Sequence, residues 1–305
     1  MRKDYIQDKY VLIAPRRAGR PYTVRRPERD GRRDARECAL CPEEIDQEKA
    51  LLTVGPRSDW RIKVVSNRFP AVSVDNPRAY GVQEVVIETP HPERQLDDLP
   101  VSAVVELLEA YAARTVELTE DPRIQYILIF KNDGGRAGAS IAHSHSQIFA
   151  TDFIPPHLLD KSKKTFEYKL HHGTCPYCDV IGQESRGPRL VHEDDQIVVF
   201  TPYASMHNYE LWILPRRHLD NITALNGQER KSWAKALKRA LRAIGDLGLP
   251  YNYYFHQIIY DQDQHLYMKI TPRGSVWAGV EIGSGIIINP IPPEKAATYY
   301  RRFFR

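Results

Sequence analysis

The chain has 305 residues with 42% hydrophobic character, and its 43 Lys and Arg against 39 Asp and Glu leave a net charge of +4. This is the composition of a soluble globular protein with one broad domain or two ordinary ones. It excludes a membrane-spanning chain, because no apolar run nears the ~20 residues required, and the charge excess is too modest for a nucleic-acid-binding tail.

The opening MRKDYIQDKY lacks the apolar core of a secretory signal, so the cytosol is the expected location. Arginines crowd the stretch Ala14 to Arg36; Arg16, Arg17 and Arg20 are candidate anion contacts, and the later ones read as a solvated segment. Cys38 and Cys41 follow in CALC. Strands are expected in IKVVSNRFPAV and in YGVQEVVIETP, which runs up to His91. The segment PVSAVVELLEAYAARTVELTEDP repeats apolar residues at helical spacing. An apolar strand IQYILIFKN ends at Asn132, and a Gly-rich loop leads to HSHSQIFA. As a strand, that segment projects His143, His145 and Gln147 from one face.

The second half begins with Cys175 and Cys178 in CPYC. Strands follow in QIVVFTPYAS and in the stretch reaching His218, then a helix NGQERKSWAKALKRALRAIGDLG. A strand YNYYFHQIIY and a last strand QHLYMKI, opening with His265, complete the pattern. Both halves thus read C-x-x-C, strand, strand ending at a His, helix, strand, strand opening with a His, which predicts units of residues 1–160 and 161–305. In a chain without a secretory signal, C-x-x-C pairs point to metal before disulfides. Each half then owns a Cys₂His₂ set: Cys38, Cys41, His91 and His143, and Cys175, Cys178, His218 and His265. That is a closed tetrahedral zinc set, so two structural zinc ions per chain are expected. His207 competes with His218, and the repeat favours His218.

The repeat also separates the two histidines of HSHSQ. His143 has its counterpart in His265, whereas His145 and Gln147 align with Tyr267 and Lys269. One catalytic site per chain is therefore expected, with His145 as a nucleophile toward phosphorus. Its other ring nitrogen must donate to an acceptor such as a backbone carbonyl, leaving the attacking nitrogen its lone pair. Gln147 can donate to a phosphate oxygen, with Ser140 and Ser146 as further donors. The loop KNDGGRAGAS, with Asn132, Gly134, Gly135 and Gly138, can bring backbone N–H groups close to a phosphate.

With these residues assembled, the chain resembles the galactose-1-phosphate uridylyltransferase family, within the histidine-triad superfamily. The likeness runs over nearly the whole length, through LIAPRRAGRPY, CALCP, VVSNRFPAV, ETPHPERQLDDLP, GRAGASIAHSHSQIFA and GVEIGSGIIINPIPPE. It implies an α+β, histidine-triad-like fold of two tandem pseudo-repeats, each with a mostly antiparallel sheet and packed helices. It also implies a ping-pong transfer of a nucleoside monophosphate from UDP-glucose to galactose 1-phosphate, by a homodimer, through a nucleotidyl-His145 intermediate. By motif position Gln147 contacts the phosphate, as do Arg17 and Arg20; Asn67 and Phe69 take the base, and Glu281 the sugar hydroxyls. The strand reads His-Ser-His-Ser-Gln where uridylyltransferases usually have His-Pro-His-Gly-Gln, and Arg68 stands where many have an acid. The His-Ser-His-Ser-Gln strand and the second Cys/His set are more similar to ADP-glucose phosphorylase relatives, which load AMP and pass it to inorganic phosphate. A zinc-stabilised nucleic-acid-binding module is the reading from a different class, and it leaves HSHSQ without a role.

Overall fold

Alternating apolar residues build the strands, and longer amphipathic runs the helices, across residues 1–19, 38–259 and 261–305, which the computed structural model describes. In chain order the elements are β1 (Arg2–Lys3), β2 (Tyr10–Ile13), α1 (Pro42–Ile45), β3 (Ala50–Val54), β4 (Ile62–Ser66), β5 (Gly81–Ile87), α2 (Val101–Leu118), β6 (Tyr126–Asp133), β7 (His145–Thr151) and α3 (Pro156–His172). The second half continues with α4 (Pro176–Glu184), β8 (Leu190–Glu193), β9 (Ile197–Phe200), β10 (Leu211–Pro215), α5 (Gly227–Asp246), β11 (Tyr251–His256), β12 (Tyr267–Pro272), α6 (Gly279–Ser284), β13 (Ile287–Asn289) and α7 (Pro293–Tyr300).

The expected α+β repeat architecture is present, but its two sheets are fused. Ten strands run in the order β3-β4-β5-β7-β6-β11-β12-β10-β9-β8. Each half supplies five with the same connectivity, and every pairing is antiparallel. The halves join at β6 and β11, where Asn132 lies opposite Asn252 and accepts from its Nδ2 at 2.7 Å. Each strand thereby covers an edge that would otherwise expose unpaired backbone groups. The expected boundary at residue 160 falls inside α3.

One face of the sheet is covered by α2 and α5, whose Leu107, Leu108, Trp233 and Leu237 share a continuous core with residues of both halves. Each fully buried side chain of this size contributes about 1.5–3 kcal/mol. Helix α5 starts where it does because Asn226 accepts from the backbone of Gln228 and Glu229, while Glu229 reaches back to the Asn226 N–H.

The opposite face differs between the halves. Cys175 is the N-cap of α4, whose Tyr177, Val180 and Ile181 pack on Val198, Phe200, Trp212, Leu214 and Tyr267. Cys41 is likewise the N-cap of α1, but α1 has only 4 residues, and its Ile45 packs with Trp60, Val65 and Ile87. Among the described residues, a one-turn helix over the first half and a longer one over the second set the site described next. Neither α3 nor α4 stood out in the sequence. In α3 only Leu158, Lys161 and Thr165 are buried, while Leu159, Phe166 and Leu170 face solvent, so its apolar period is weak.

Beside the large sheet, β13 pairs in parallel with β2, completing a three-stranded sheet with β1. This carries α6 toward the turn Pro15–Gly19 that holds Arg17.

Candidate active site and metal centres

The strand β7 sorts its side chains by alternation. His145 and Gln147 take the thinly roofed face, and Ser146, Ile148 and Ala150 the core. The Nδ1–H of His145 donates to the carbonyl of His143 at 2.7 Å, and Nε2 has no hydrogen-bond partner among the described residues. Burial, then the charge of Lys131, lowers the imidazole pKa below its ordinary 6.5. A neutral ring with one nitrogen anchored and the other carrying a lone pair is thereby presented.

Beneath it lies a buried polar network. Lys131 Nζ donates to Glu88 Oε2 at 2.7 Å, to Ser144 Oγ at 3.0 Å and to the His145 carbonyl at 2.9 Å. Ser144 also donates to Glu88 at 2.5 Å. Burial alone would raise the Glu88 pKa, but the Lys131 charge and these hydrogen bonds outweigh it and hold it below the ordinary range. Ser146, expected to serve a phosphate, instead meets the Tyr111 hydroxyl at 2.6 Å on the core side, and Tyr111 meets the Tyr253 hydroxyl at 2.9 Å. The two serines of HSHSQ therefore hold the strand from behind.

Gln147 Oε1 accepts from Gln83 Nε2 at 2.8 Å and faces Asn67 Nδ2 at 3.4 Å. Gln83 was not singled out in the sequence. Its signal was the lone amide on one face of GVQEVVI, beside Val85, which pairs with Gln147. Asn67 lies just past β4, and Phe69 beside it is 90% exposed. Arg68 is paired with Glu48 at 2.7 Å.

The remaining candidates are more scattered. Ser140 is exposed in the loop before β7. Asn132 is engaged with Asn252. Gly138 has φ +89°, a left-handed conformation that closes the turn Gly135–Ala137. Gly134 has a nearer reason to be glycine, since a Cβ there would sit 2.8 Å from Pro250. Arg17 is exposed, and Arg20, with the later arginines up to Arg36, lies outside the described residues. Glu281 caps its own helix α6, accepting from the Ala278 N–H at 2.9 Å; that bond, helped by the Arg17 charge, lowers its pKa.

Among the described residues two Cys₂His groups form. The ligand atoms of Cys38, Cys41 and His143 lie within 4.8 Å of one another, as do those of Cys175, Cys178 and His218. In both, Nδ1 faces sulfur, at 3.4 Å from Cys38 and 3.5 Å from Cys178. A zinc tetrahedron has S-to-N edges of roughly 3.5 Å. In both, Nε2–H donates to a backbone carbonyl, Thr89 at 2.7 Å and Gln262 at 2.9 Å, the support a metal-binding imidazole needs. The predicted fourth ligands diverge. His265 is buried beside the second group, 5.1 Å between its ring and that of His218, and its Nε2 has no hydrogen-bond partner among the described residues. That orphaned nitrogen fits a metal. His91 lies outside the first group, on an exposed turn with Nδ1 3.8 Å from Glu93. His207, the rival to His218, is stacked on Trp277 instead, ring centroids 5.2 Å apart.

Comparison with known proteins shows the family and the fold. Residues 1–155 match the family described as galactose-1-phosphate uridyl transferase, N-terminal domain. An ADP-glucose phosphorylase of Arabidopsis thaliana is 29% identical, over 99% of this chain and 92% of that protein. A galactose-1-phosphate uridylyltransferase of Thermotoga maritima is 28% identical, over 99% of this chain and 97% of its own. The crystal structure of the Arabidopsis ADP-glucose phosphorylase with bound ADP-glucose superimposes with a TM-score of 0.87, covering 98% of this chain and 97% of that one. A uridylyltransferase structure, 26% identical, does so at 0.78, covering 99% and 97%. Among the described residues no helix is long and apolar enough to cross a membrane.

Proposed function

This chain belongs to the galactose-1-phosphate uridylyltransferase family, and from that premise we propose that it transfers a nucleoside monophosphate from a nucleotide sugar through a covalent bond to His145. The observation that carries the proposal is the His145 ring, its Nδ1–H tied to the His143 carbonyl and its Nε2 left to attack. Nε2 forms a bond to the α-phosphorus as the bond to the bridging oxygen breaks. The electron pair leaves with hexose 1-phosphate, and no proton need be removed from the nucleophile. A second phosphate then displaces His145, whose anchored Nδ1–H keeps the same tautomer throughout. The Gln147 amide donates to a non-bridging oxygen as charge shifts in the transition state.

The proposed donor is UDP-glucose and the acceptor galactose 1-phosphate, with the enzyme acting as a homodimer. A second reading, ADP-glucose with inorganic phosphate as acceptor, draws support from the full-length likeness to the Arabidopsis enzyme. Zinc, when bound by Cys38, Cys41 and His143, supplies a rigid cross-link at the entry to β7; Cys175, Cys178, His218 and His265 would hold a second ion.

Incubation with UDP-glucose and with ADP-glucose, each labelled in the α-phosphate, tests both readings. An acid-labile, base-stable label on His145, at about one per chain, is expected from one donor. Labelling by neither would end the covalent mechanism, and labelling by ADP-glucose alone would replace the uridylyl reading.

A further inference from the structure

We propose that Gln83 is a positioning residue for the transfer: it sets the polarity of the Gln147 amide so that the NH₂ end faces the phosphate. The inference rests on the reading of Gln147 as a phosphate donor and goes beyond it. An amide side chain can turn either end toward a neighbour, and the useful end must be specified by something of fixed polarity. Here two backbone N–H groups provide it. The Ala71 N–H, which can only donate, is accepted by Gln83 Oε1 at 2.8 Å. The Gln83 NH₂ is thereby the end that meets Gln147, and its partner 2.8 Å away has to be Oε1. Independently, the Phe69 N–H is accepted by Asn67 Oδ1 at 2.8 Å, which turns Asn67 Nδ2 toward the same Gln147 oxygen, 3.4 Å away.

Flipping Gln147 would set NH₂ against NH₂ on both neighbours. The oxygen is thus occupied, and the Gln147 amide nitrogen makes no hydrogen bond among the described residues. Both anchors lie between β4 and β5, so the placement of that loop and the donor polarity at the phosphate are set together. A transition-state donor held in its working orientation needs no reorganisation as the reaction proceeds.

The test is a double-mutant cycle on the labelling reaction, with UDP-glucose and ADP-glucose as probes. Gln147→Ala is expected to slow the maximal labelling rate about 100-fold. Gln83→Ala should slow it about five- to tenfold, with the half-saturating sugar concentration within about twofold. Gln83→Met, which keeps the stem but lacks the amide, should match it at an unchanged melting temperature, separating lost polarity from lost packing. The double variant Gln83→Ala/Gln147→Ala should be no slower than Gln147→Ala alone, within about twofold, because one residue acts through the other. Full-rate Gln83 variants beside a slow Gln147→Ala, or a double variant slowed by the product of the two effects, would overturn the proposal. A full-rate Gln147→Ala would instead overturn the phosphate-donor reading beneath it.

Discussion

Strands β7 and β12 occupy equivalent places in the two halves, yet they carry opposite devices. On β7 the outward side chains are His145 and Gln147, whose ring Nε2 and amide nitrogen make no hydrogen bond among the described residues. On β12 they are Tyr267 and Lys269. Tyr267 stacks on Trp212 with ring centroids 4.5 Å apart, lies 5.6 Å from the ring of Tyr177, and accepts from Lys161 at 2.6 Å. Lys269 is closed off by Glu210 at 2.8 Å, and Glu210 also accepts from Trp212. The α4 roof that supplies Tyr177 has its counterpart in the single turn of α1. Duplication thus preserved the scaffold and the Cys/His groups, while packing filled one face and left reactive groups on the other.

Substitutions at the equivalent positions attack this contrast most directly. His145→Ala should reduce nucleotidyl transfer at least about 10⁴-fold, as loss of a nucleophile does, without changing bound zinc. Tyr267→Phe should leave the rate within about twofold; a Tyr267→Phe enzyme as slow as His145→Ala would break the contrast.

Two of the buried lysines, Lys131 and Lys161, sharpen it. Lys131 is fully engaged by Glu88, Ser144 and the His145 carbonyl, so Lys131→Met should destabilise by about 3–5 kcal/mol, stranding a buried carboxylate. Lys161 meets the Tyr267 hydroxyl, and burial lowers its pKa from 10.5 to about 7. Between those values the unfolded chain binds the proton that the folded chain has released, so native stability rises with pH across the window. Below it the charge is buried in full. Lys161→Met should therefore stabilise by about 1–3 kcal/mol near pH 6.5, an advantage that shrinks toward pH 10. Denaturant unfolding at the two pH values measures this, and a gap that widens with pH would refute it.

The smallest effect concerns the metal groups. Cys38→Ser and Cys175→Ser should each lower zinc from about two per chain to about one. Transfer should fall about tenfold only for Cys38→Ser, because its group supports the entry to β7. Equal losses of rate would show that the second group also supports the site.

Much of the site was legible because it is written locally. The alternation of HSHSQ puts His145 and Gln147 on one face and sends Ser144 and Ser146 behind it, and C-x-x-C places two sulfurs one turn apart. The repeat preferred His218 to His207, and it is His218 that lies beside Cys175 and Cys178. It also paired His91 with the first group, which the fold leaves on an exposed turn beside Glu93. Gln83 escaped notice because its importance lies in the pairing of β5 with β7 and in the loop that returns an N–H to it.

From the sequence alone came the repeated strand-strand-helix-strand-strand order of the two halves, the alternation on β7 and the chemistry of its side chains, all properties of short stretches governed by backbone geometry. Tertiary structure alone decided which imidazoles meet the sulfurs, which sheet face lies under a one-turn roof, and which end of Gln147 is left to donate. Those outcomes depend on contacts between strands far apart in the chain, where a short helix or a single backbone N–H selects among arrangements that local sequence leaves equivalent.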